Sequence, residues 1–436
     1  MKFFIHTYGC QMNVRDSQAL EALLVGAGHV KAESEEDAEA VIINSCTVRQ
    51  KAEEKAVGKA GNMIAAGKRV GMAGCAVKRA GAELFRRLPK LDFAVGPRMF
   101  WRVPSLLEGE PPNYRRILLE GGDEIPRGLD AHPDISRKGT FASVQSYVTV
   151  MVGCDNRCSY CIVPDVRGHE YFRPADEVVE EVRCLAVRGV KEVCLLGQSV
   201  LRYPGFPSLL RRLQEIDGLE RIRFTSAHPK GCTDELIAVW RDCPKVCRHI
   251  HLPVQSGSER ILKEMGRRYT RGEYLAAVEK LRSFDPEFAV TTDVIVGYPG
   301  ESEADFEDTR SIMEEAQFDN AFIFKYSPRP GTRSALLDDD VAKEEKERRD
   351  QVLLADQEIR GQKRNDRLVG TVRRVMVEGP SKRNAERWSG RDGGNRIVVW
   401  DRVGDEKIGD LLDLEIAAAH PQILIARPLR APSHES

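Results

Sequence analysis

The stretch VMVGCDNRCSYCIVP, residues 150–164, sets Cys154, Cys158 and Cys161 in a C-x3-C-x2-C array. Thiols packed this closely are not ordinary core residues. A zinc site closes with four ligands, usually as two separated pairs, and this triplet has no evident fourth partner. An iron–sulfur cluster suits it better, because thiolates on one tight loop can each take a different iron and leave the last iron open to chelate something else. A second trio is dispersed. Cys10, Cys46 and Cys75 each follow a short run ending in small or polar residues: KFFIHTYG (2–9), AVIINS (40–45) and RVGMAG (69–74). If those runs are parallel strands, their carboxyl ends share one rim, where ligands gather in open α/β sheets.

The elements that must position these residues follow from periodicity. SQALEALLVGAG and TVRQKAEEKAVGKAGNMIAAG have helical spacing, so the first hundred residues predict a βαβαβ sheet. Residues 104–143 turn rich in Pro, Gly and charge and predict a linker or irregular crossover. Alternation resumes in SYVTVMVG, KEVCLLG, RIRFTSAHP, HIHLPVQSG, FAVTTDVIVGYPG and DNAFIFKYS, separated by amphipathic segments such as ADEVVEEVRCLAVRG. Six βα units predict a partial (βα)6 TIM-like barrel, whose sites lie at the C-terminal strand ends, and the C-x3-C-x2-C triplet follows the first of those strands. The charged segment 338–367 predicts a solvated connecting helix. Beyond it LVGTVRRVMVEG, RIVVW, LLDLEIAAA and QILIARP predict a small β-barrel of about 65 residues. The fold class is therefore α/β, with domains at 1–120, 140–360 and 363–430.

Composition bounds the function. At 436 residues the chain exceeds one core, and no window approaches the ~20 apolar residues of a membrane span. MKFFIHTYG is too short and polar for a signal peptide. Eleven cysteines, an odd number, argue against a disulfide framework and point to the cytoplasm. With a net charge of −1, nucleic-acid binding would need local basic patches.

C-x3-C-x2-C after the first strand of a βα barrel is the pattern of the radical S-adenosylmethionine (SAM) superfamily. Together with TYGCQMN, NSCTVRQKAEEK, GCDNRCSYCIVPDVRGHE, LLGQSV, HLPVQSGS, DVIVGYPGE, YSPRPGT and the terminal β-barrel, the chain resembles the methylthiotransferases, most closely the branch acting on N(6)-dimethylallyladenosine of tRNA. The resemblance implies an N-terminal methylthiotransferase domain, a radical SAM core and an RNA-binding TRAM domain. It also implies two 4Fe-4S clusters. Cys154, Cys158 and Cys161 match the catalytic, SAM-cleaving cluster, and Cys10, Cys46 and Cys75 match an auxiliary one. The implied reaction uses a 5′-deoxyadenosyl radical, because carbon-2 of adenine is an unactivated C–H that no side-chain base deprotonates; a methylthio group replaces the hydrogen, and two SAM molecules are consumed. Implied partners are the tRNA anticodon stem-loop and a reductant such as flavodoxin or ferredoxin, with the enzyme a monomer. Related chemistries stay open: a threonylcarbamoyladenosine tRNA or a ribosomal-protein aspartate as substrate. So does another class, a non-catalytic iron–sulfur RNA-binding protein. TYGCQMN and HLPVQSGS favour the dimethylallyl branch, while Phe172, Ser199 and Ala76-Val77 depart from its usual residues.

Further residues fall at strand ends. Tyr160, Gly197, Gln198, Ser226, Gln255 and Gly297 are expected to contact SAM, glycines there letting backbone approach a ligand. His251, Pro253 and Gln255 alternate along one strand and share a face. Arg167, Arg173, Arg267 and Arg268, with Arg329, are expected to meet RNA phosphates, and Tyr171, Phe172 and Tyr269 to stack on unpaired bases. The C-terminal barrel adds Arg373, Arg374, Lys382, Arg383, Arg387 and Arg391. Cys243, Cys247, His249 and His251 have a zinc-like look but close poorly into a tetrahedron. Cys184, Cys194 and Cys232 read as small hydrophobes.

Overall fold

The computed structural model describes residues 1–48, 50–108, 116–119 and 143–429; most of the expected 104–143 crossover lies outside them. The chain forms two compact units. One comprises Met1–Arg157, Cys161–Gln198 and Ile216–Gly218, the other Cys158–Tyr160, Ser199–Glu215 and Leu219–Ser436.

In the first unit β1 (Lys2–Tyr8), β2 (Val30–Lys31), β3 (Ala40–Ser45), β4 (Arg69–Ala73), β5 (Phe93–Val95) and β6 (Arg116–Leu118) form one sheet in the order β2-β1-β3-β4-β5-β6. All the pairings are parallel. Its central strand β3 is buried at all six positions, as a parallel strand covered on both faces must be. Val41 and Ile43 pack with Val57 and Ala60 of the helix Gln50–Ala65 on one face, and Ile42 packs with Leu20 and Leu24 of the helix Gln11–Gly26 on the other. The same unit holds β7 (Gln145–Thr149), β8 (Met151–Val152), β9 (Tyr171–Phe172) and β10 (Glu192–Leu196). β7 pairs parallel with β10, and β8 pairs antiparallel with β9. The run SYVTVMVG thus breaks into two strands.

In the second unit β11 (Arg221–Phe224) precedes a parallel sheet of β12 (His249–His251), β13 (Ala289–Val296) and β14 (Asn320–Lys325). A helix follows each of β10 to β14, at Phe206–Gln214, Asp234–Asp242, Arg271–Phe284, Glu303–Ala316 and Lys343–Asp366; with β7 and the helix Ala175–Val187 this makes the expected six strand–helix repeats. The last helix corrects an expectation. It is no solvated connector: Lys346, Arg349, Asp350, Leu353, Gln357, Arg360 and Arg364 are buried along one face. The face is polar and mostly paired, although Arg360 Nη2 and Arg364 Nη2 are buried without a hydrogen-bond partner among the described residues. Arg349 Nη1 lies 2.8 Å from a Glu301 carboxylate oxygen, Gln357 Nε2 donates to the Phe318 carbonyl at 3.1 Å, and Arg364 Nε lies 3.3 Å from Asp319.

β15 (Val372–Pro380), β16 (Arg387–Asp392), β17 (Ile397–Asp401), β18 (Leu411–Ala419) and β19 (Ile423–Pro428) close a five-stranded barrel around Val375, Val377, Val398, Trp400, Leu414, Ile416 and Leu424.

Candidate functional site

The parallel register of the first sheet sets its cysteines. Tyr8 pairs with Ser45, and Asn44 with Ala73, so Cys10, Cys46 and Cys75 leave the sheet at the same carboxyl rim within two residues of aligned positions. Two glycines permit the approach. A Cβ on Gly9 would fall 2.7 Å from Cys46 Cβ; Gly74, at φ +97°, would place one 2.3 Å from Asn44 Oδ1. Beneath the thiols, buried Asn44 donates to the Asn13 carbonyl and to Ser17 Oγ, both at 2.9 Å. Cys10 caps the helix Gln11–Gly26, its backbone N–H donating to Asn13 Oδ1 at 3.3 Å.

The Cys10 and Cys46 thiols shift each other in opposite directions. A hydrogen bond from Cys46 holds Cys10 down to about 5, against burial, with the Arg167 guanidinium helping. Cys46 is pushed up, first by that same bond and then by burial. Burial pushes Cys75 up. Cys75 Sγ accepts from Arg167 Nε at 3.2 Å, and Arg167 Nη2 grips Asp16 at 2.6 Å. Among the described residues no three His, Cys, Asp or Glu side chains are grouped to hold a single metal ion. A cubane cluster makes a different demand, one thiolate per iron, and three converging thiols, with the Asp16 carboxylate beside them taken up by Arg167, fit it.

The C-x3-C-x2-C loop is pinned residue by residue. Gly153 (φ +85°) donates its N–H to Gln198 Oε1 at 2.6 Å, and any Cβ there would strike the His169 carbonyl. Cys154 donates its N–H to the Gly168 carbonyl at 3.1 Å. In the second unit Cys158 Sγ faces Arg267 Nη1 at 3.7 Å. Ser159 is buried: its Oγ lies 2.9 Å from the Glu264 carbonyl and 2.8 Å from Tyr298 Oη, and its N–H donates to the Met265 carbonyl at 2.9 Å. Tyr160 packs against Ile261, Met265, Tyr298 and Tyr326.

Other expected SAM contacts occupy strand ends. Ser226 (φ +59°), two residues past β11, and Gln255 (φ +68°), beyond β12, are two of four non-glycine residues at positive φ among those described. Such backbone costs about 1–3 kcal/mol and concentrates at functional sites. Gly297 (φ +71°) donates its N–H to Glu301 Oε2 at 2.5 Å, and Gly197 is buried.

Two expected RNA contacts are corrected. Arg167, 5% exposed, is spent on Asp16 and Cys75, and Arg173, 1% exposed, on Glu181 Oε2 at 2.6 Å and the Thr149 carbonyl at 2.7 Å. Arg15 pairs with the other Glu181 oxygen at 2.6 Å. A desolvated guanidinium needs its partner, so neither is presented to a phosphate. Arg267 donates to the Pro253 carbonyl at 3.2 Å and to Tyr269 Oη at 3.0 Å, whereas Arg268 is exposed. In the C-terminal barrel Arg373, Arg387 and Arg391 pair with Asp392, Asp401 and Glu378, and Arg374, Lys382 and Arg383 are exposed. His249 and His251 both reach Thr291 Oγ1, at 3.0 and 3.1 Å.

Known proteins share this layout. Residues 2–96 match the uncharacterized protein family UPF0004, 148–312 the radical SAM superfamily and 366–429 the TRAM domain. The tRNA-2-methylthio-N(6)-dimethylallyladenosine synthase of Akkermansia muciniphila is 41% identical, covering 95% of this chain and 96% of its own. That of Geobacter sulfurreducens is 43% identical over 97% and 96%. The chain belongs to the tRNA-2-methylthio-N(6)-dimethylallyladenosine synthase family. It is a radical SAM enzyme, and that family implies a 4Fe-4S cluster and SAM. Among solved structures, the radical SAM methyltransferase TsrM of Kitasatospora setae, with tryptophan and a SAM analogue bound, aligns with a TM-score of 0.58 at 14% identity over 77% of this chain and 75% of its own. This likeness shows the fold. No helix among the described residues is long and apolar enough to cross a membrane.

Sequence reasoning missed Asp16, Glu181, Ser159 and Tyr298. Ser159 sits inside the C-x3-C-x2-C array and Asp16 three residues beyond TYGCQMN, and that nearness was the available signal.

Proposed function

We propose that this enzyme converts N(6)-dimethylallyladenosine beside the tRNA anticodon to its 2-methylthio derivative, using two SAM molecules. In this reading Cys154, Cys158 and Cys161 hold the SAM-binding cluster, and Cys10, Cys46 and Cys75 hold a second one. The chemistry supplied by the first cluster, when bound, is one electron delivered to SAM at its open iron. Ser159 and Gly153 keep the thiolate loop in a single shape. Tyr160, Gly197, Gln198, Ser226, Gln255 and Gly297 are assigned to SAM. Arg268, with Arg374, Lys382 and Arg383 of the C-terminal barrel, is assigned to tRNA phosphates, which exposed cations engage without reading sequence. Arg267 is assigned to Cys158 instead. Domain limits of 1–120, 140–360 and 363–430, a monomeric state, a cytoplasmic location and a flavodoxin- or ferredoxin-type reductant complete the proposal.

The observation that carries it is the convergence of Cys10, Cys46 and Cys75 at one sheet rim. SAM cleavage alone needs one cysteine trio; a second, built from three separate strands, supports a separate sulfur-handling site. The test is mass spectrometry of tRNA nucleosides from a strain lacking the endogenous synthase and carrying this chain. The 2-methylthio nucleoside should accumulate, and it should vanish with Cys75→Ala while the dimethylallyl precursor remains. Unchanged precursor with the wild-type chain, or a methylthio group on threonylcarbamoyladenosine, would overturn the assignment.

A further inference from the structure

Arg167 lies six residues beyond Cys161, at the end of the short helix Val163–Arg167, yet its guanidinium is buried in the N-terminal cysteine trio. It reaches Cys75 Sγ through Nε at 3.2 Å, and its two terminal nitrogens fork onto Asp16 at 2.6 and 3.3 Å. Asp16 belongs to the helix that Cys10 caps. Both charged side chains are 5% exposed. The backbone is tied too, since Arg98 Nη2 donates to the Arg167 carbonyl at 3.0 Å. Ile162 and Val166, on either side of this turn, pack against Cys75. The orientation is therefore fixed, with Asp16 holding the far side of the fork and the remaining N–H aimed at sulfur.

We infer that Arg167 is a positioning residue for the second cluster, donating an N–H···S hydrogen bond and a buried positive charge to the Cys75 ligand, with Asp16 setting how much of that charge the cluster feels. The inference rests on the reading that Cys10, Cys46 and Cys75 hold a cluster. Hydrogen bonds to ligand sulfur and nearby charge are principal levers on iron–sulfur potentials. A reduced cluster is more negative by one charge, so a cation and donor at its ligand favour reduction and raise the potential. Asp16 opposes the cation. The two residues therefore act with opposite signs on one observable, although they form a single ion pair. A merely structural pair would not behave so, because losing either member would damage the site alike.

The experiment uses the full chain carrying Cys154→Ala, Cys158→Ala and Cys161→Ala, reconstituted anaerobically so that only the N-terminal trio can hold iron. Iron content and the midpoint potential, followed by electron paramagnetic resonance, are then measured with Arg167→Gln, Arg167→Lys and Asp16→Asn. The expected results are about four iron atoms per chain in the parent, a lower potential for Arg167→Gln, a smaller drop for Arg167→Lys, which keeps the charge but not the fork, and a higher potential for Asp16→Asn. Full iron content with the same potential in the parent and in Arg167→Gln would overturn the inference alone. So would a shift of one sign in both Arg167→Gln and Asp16→Asn. A parent that binds no iron would overturn the two-cluster reading and the inference with it. Should Arg167→Gln fail to fold, the Arg167→Lys and Asp16→Asn pair still decides, through the opposed directions of their shifts.

Discussion

Ser159→Ala should loosen the loop that bears Cys158 without unfolding it. The hydroxyl donates to the Glu264 carbonyl at 2.9 Å and accepts from Tyr298 Oη at 2.8 Å, two hydrogen bonds in a buried setting worth about 1 kcal/mol each. Backbone bonds remain: Ser159 N–H to the Met265 carbonyl and Ser334 N–H to the Ser159 carbonyl, each 2.9 Å. The variant should therefore lose about 2 kcal/mol of local rather than global stability, which at ~1.4 kcal/mol per decade is about a 30-fold rise in loop opening. Capture of iron by a chelator under anaerobic conditions reports that opening, in a chain with Cys10→Ala, Cys46→Ala and Cys75→Ala so that a single cluster is read. Tyr298→Phe removes one of the two bonds and should speed capture about 5-fold, again from ~1 kcal/mol. Because the Ser159–Tyr298 bond is lost in either single variant, the double variant should fall short of additivity by about that one bond. Capture within twofold of the parent in Ser159→Ala, or strict additivity in the double variant, would refute the reasoning.

Three further outcomes are expected. Glu181→Gln removes the carboxylate shared by Arg15 and Arg173, all three side chains being nearly solvent-free; leaving buried guanidinium groups uncompensated should cost about 3–5 kcal/mol in a denaturant titration, and a loss under 1 kcal/mol would contradict this. Gly74→Ala, which forces a Cβ into Asn44 at a positive φ, should reduce iron to about four per chain while 5′-deoxyadenosine production survives; full iron content would contradict it. His228 is held down to about 4, chiefly by burial and then by Arg267. The unfolded ring takes its proton near 6.5, so the unfolded state binds more protons between these values and stability falls as pH drops from about 6.5 toward 4. His228→Gln should flatten the denaturation midpoint in that window by on the order of 2 kcal/mol, and an unchanged slope would count against it.

What the sequence revealed, and what it hid, follows from the range of the interactions. A cysteine after each apolar run already implied convergence, since parallel strands must bring their carboxyl ends together, and the observed register does so. The six strand–helix repeats and the terminal barrel were legible for the same reason: period and turn chemistry are local. The helix Lys343–Asp366 was misread because its buried stripe is built from Lys346, Arg349, Arg360 and Arg364, which look solvated until their partners on other elements are known. Arg167 and Arg173 show the same limit. A lone arginine in a motif advertises a cation, but the carboxylate that satisfies Arg167 lies 151 residues away in the chain. The backbone strain at Ser226 and Gln255 has no signature in residue type at all.

Iron stoichiometry tests the central claim most directly. Anaerobically reconstituted wild-type chain should carry about eight iron atoms with a Mössbauer spectrum of two 4Fe-4S clusters, and each cysteine-trio variant, Cys10/Cys46/Cys75 or Cys154/Cys158/Cys161 to alanine, should keep about four. About four in the wild type, all lost on removing Cys154, Cys158 and Cys161, would leave the N-terminal trio without a cluster and contradict the account.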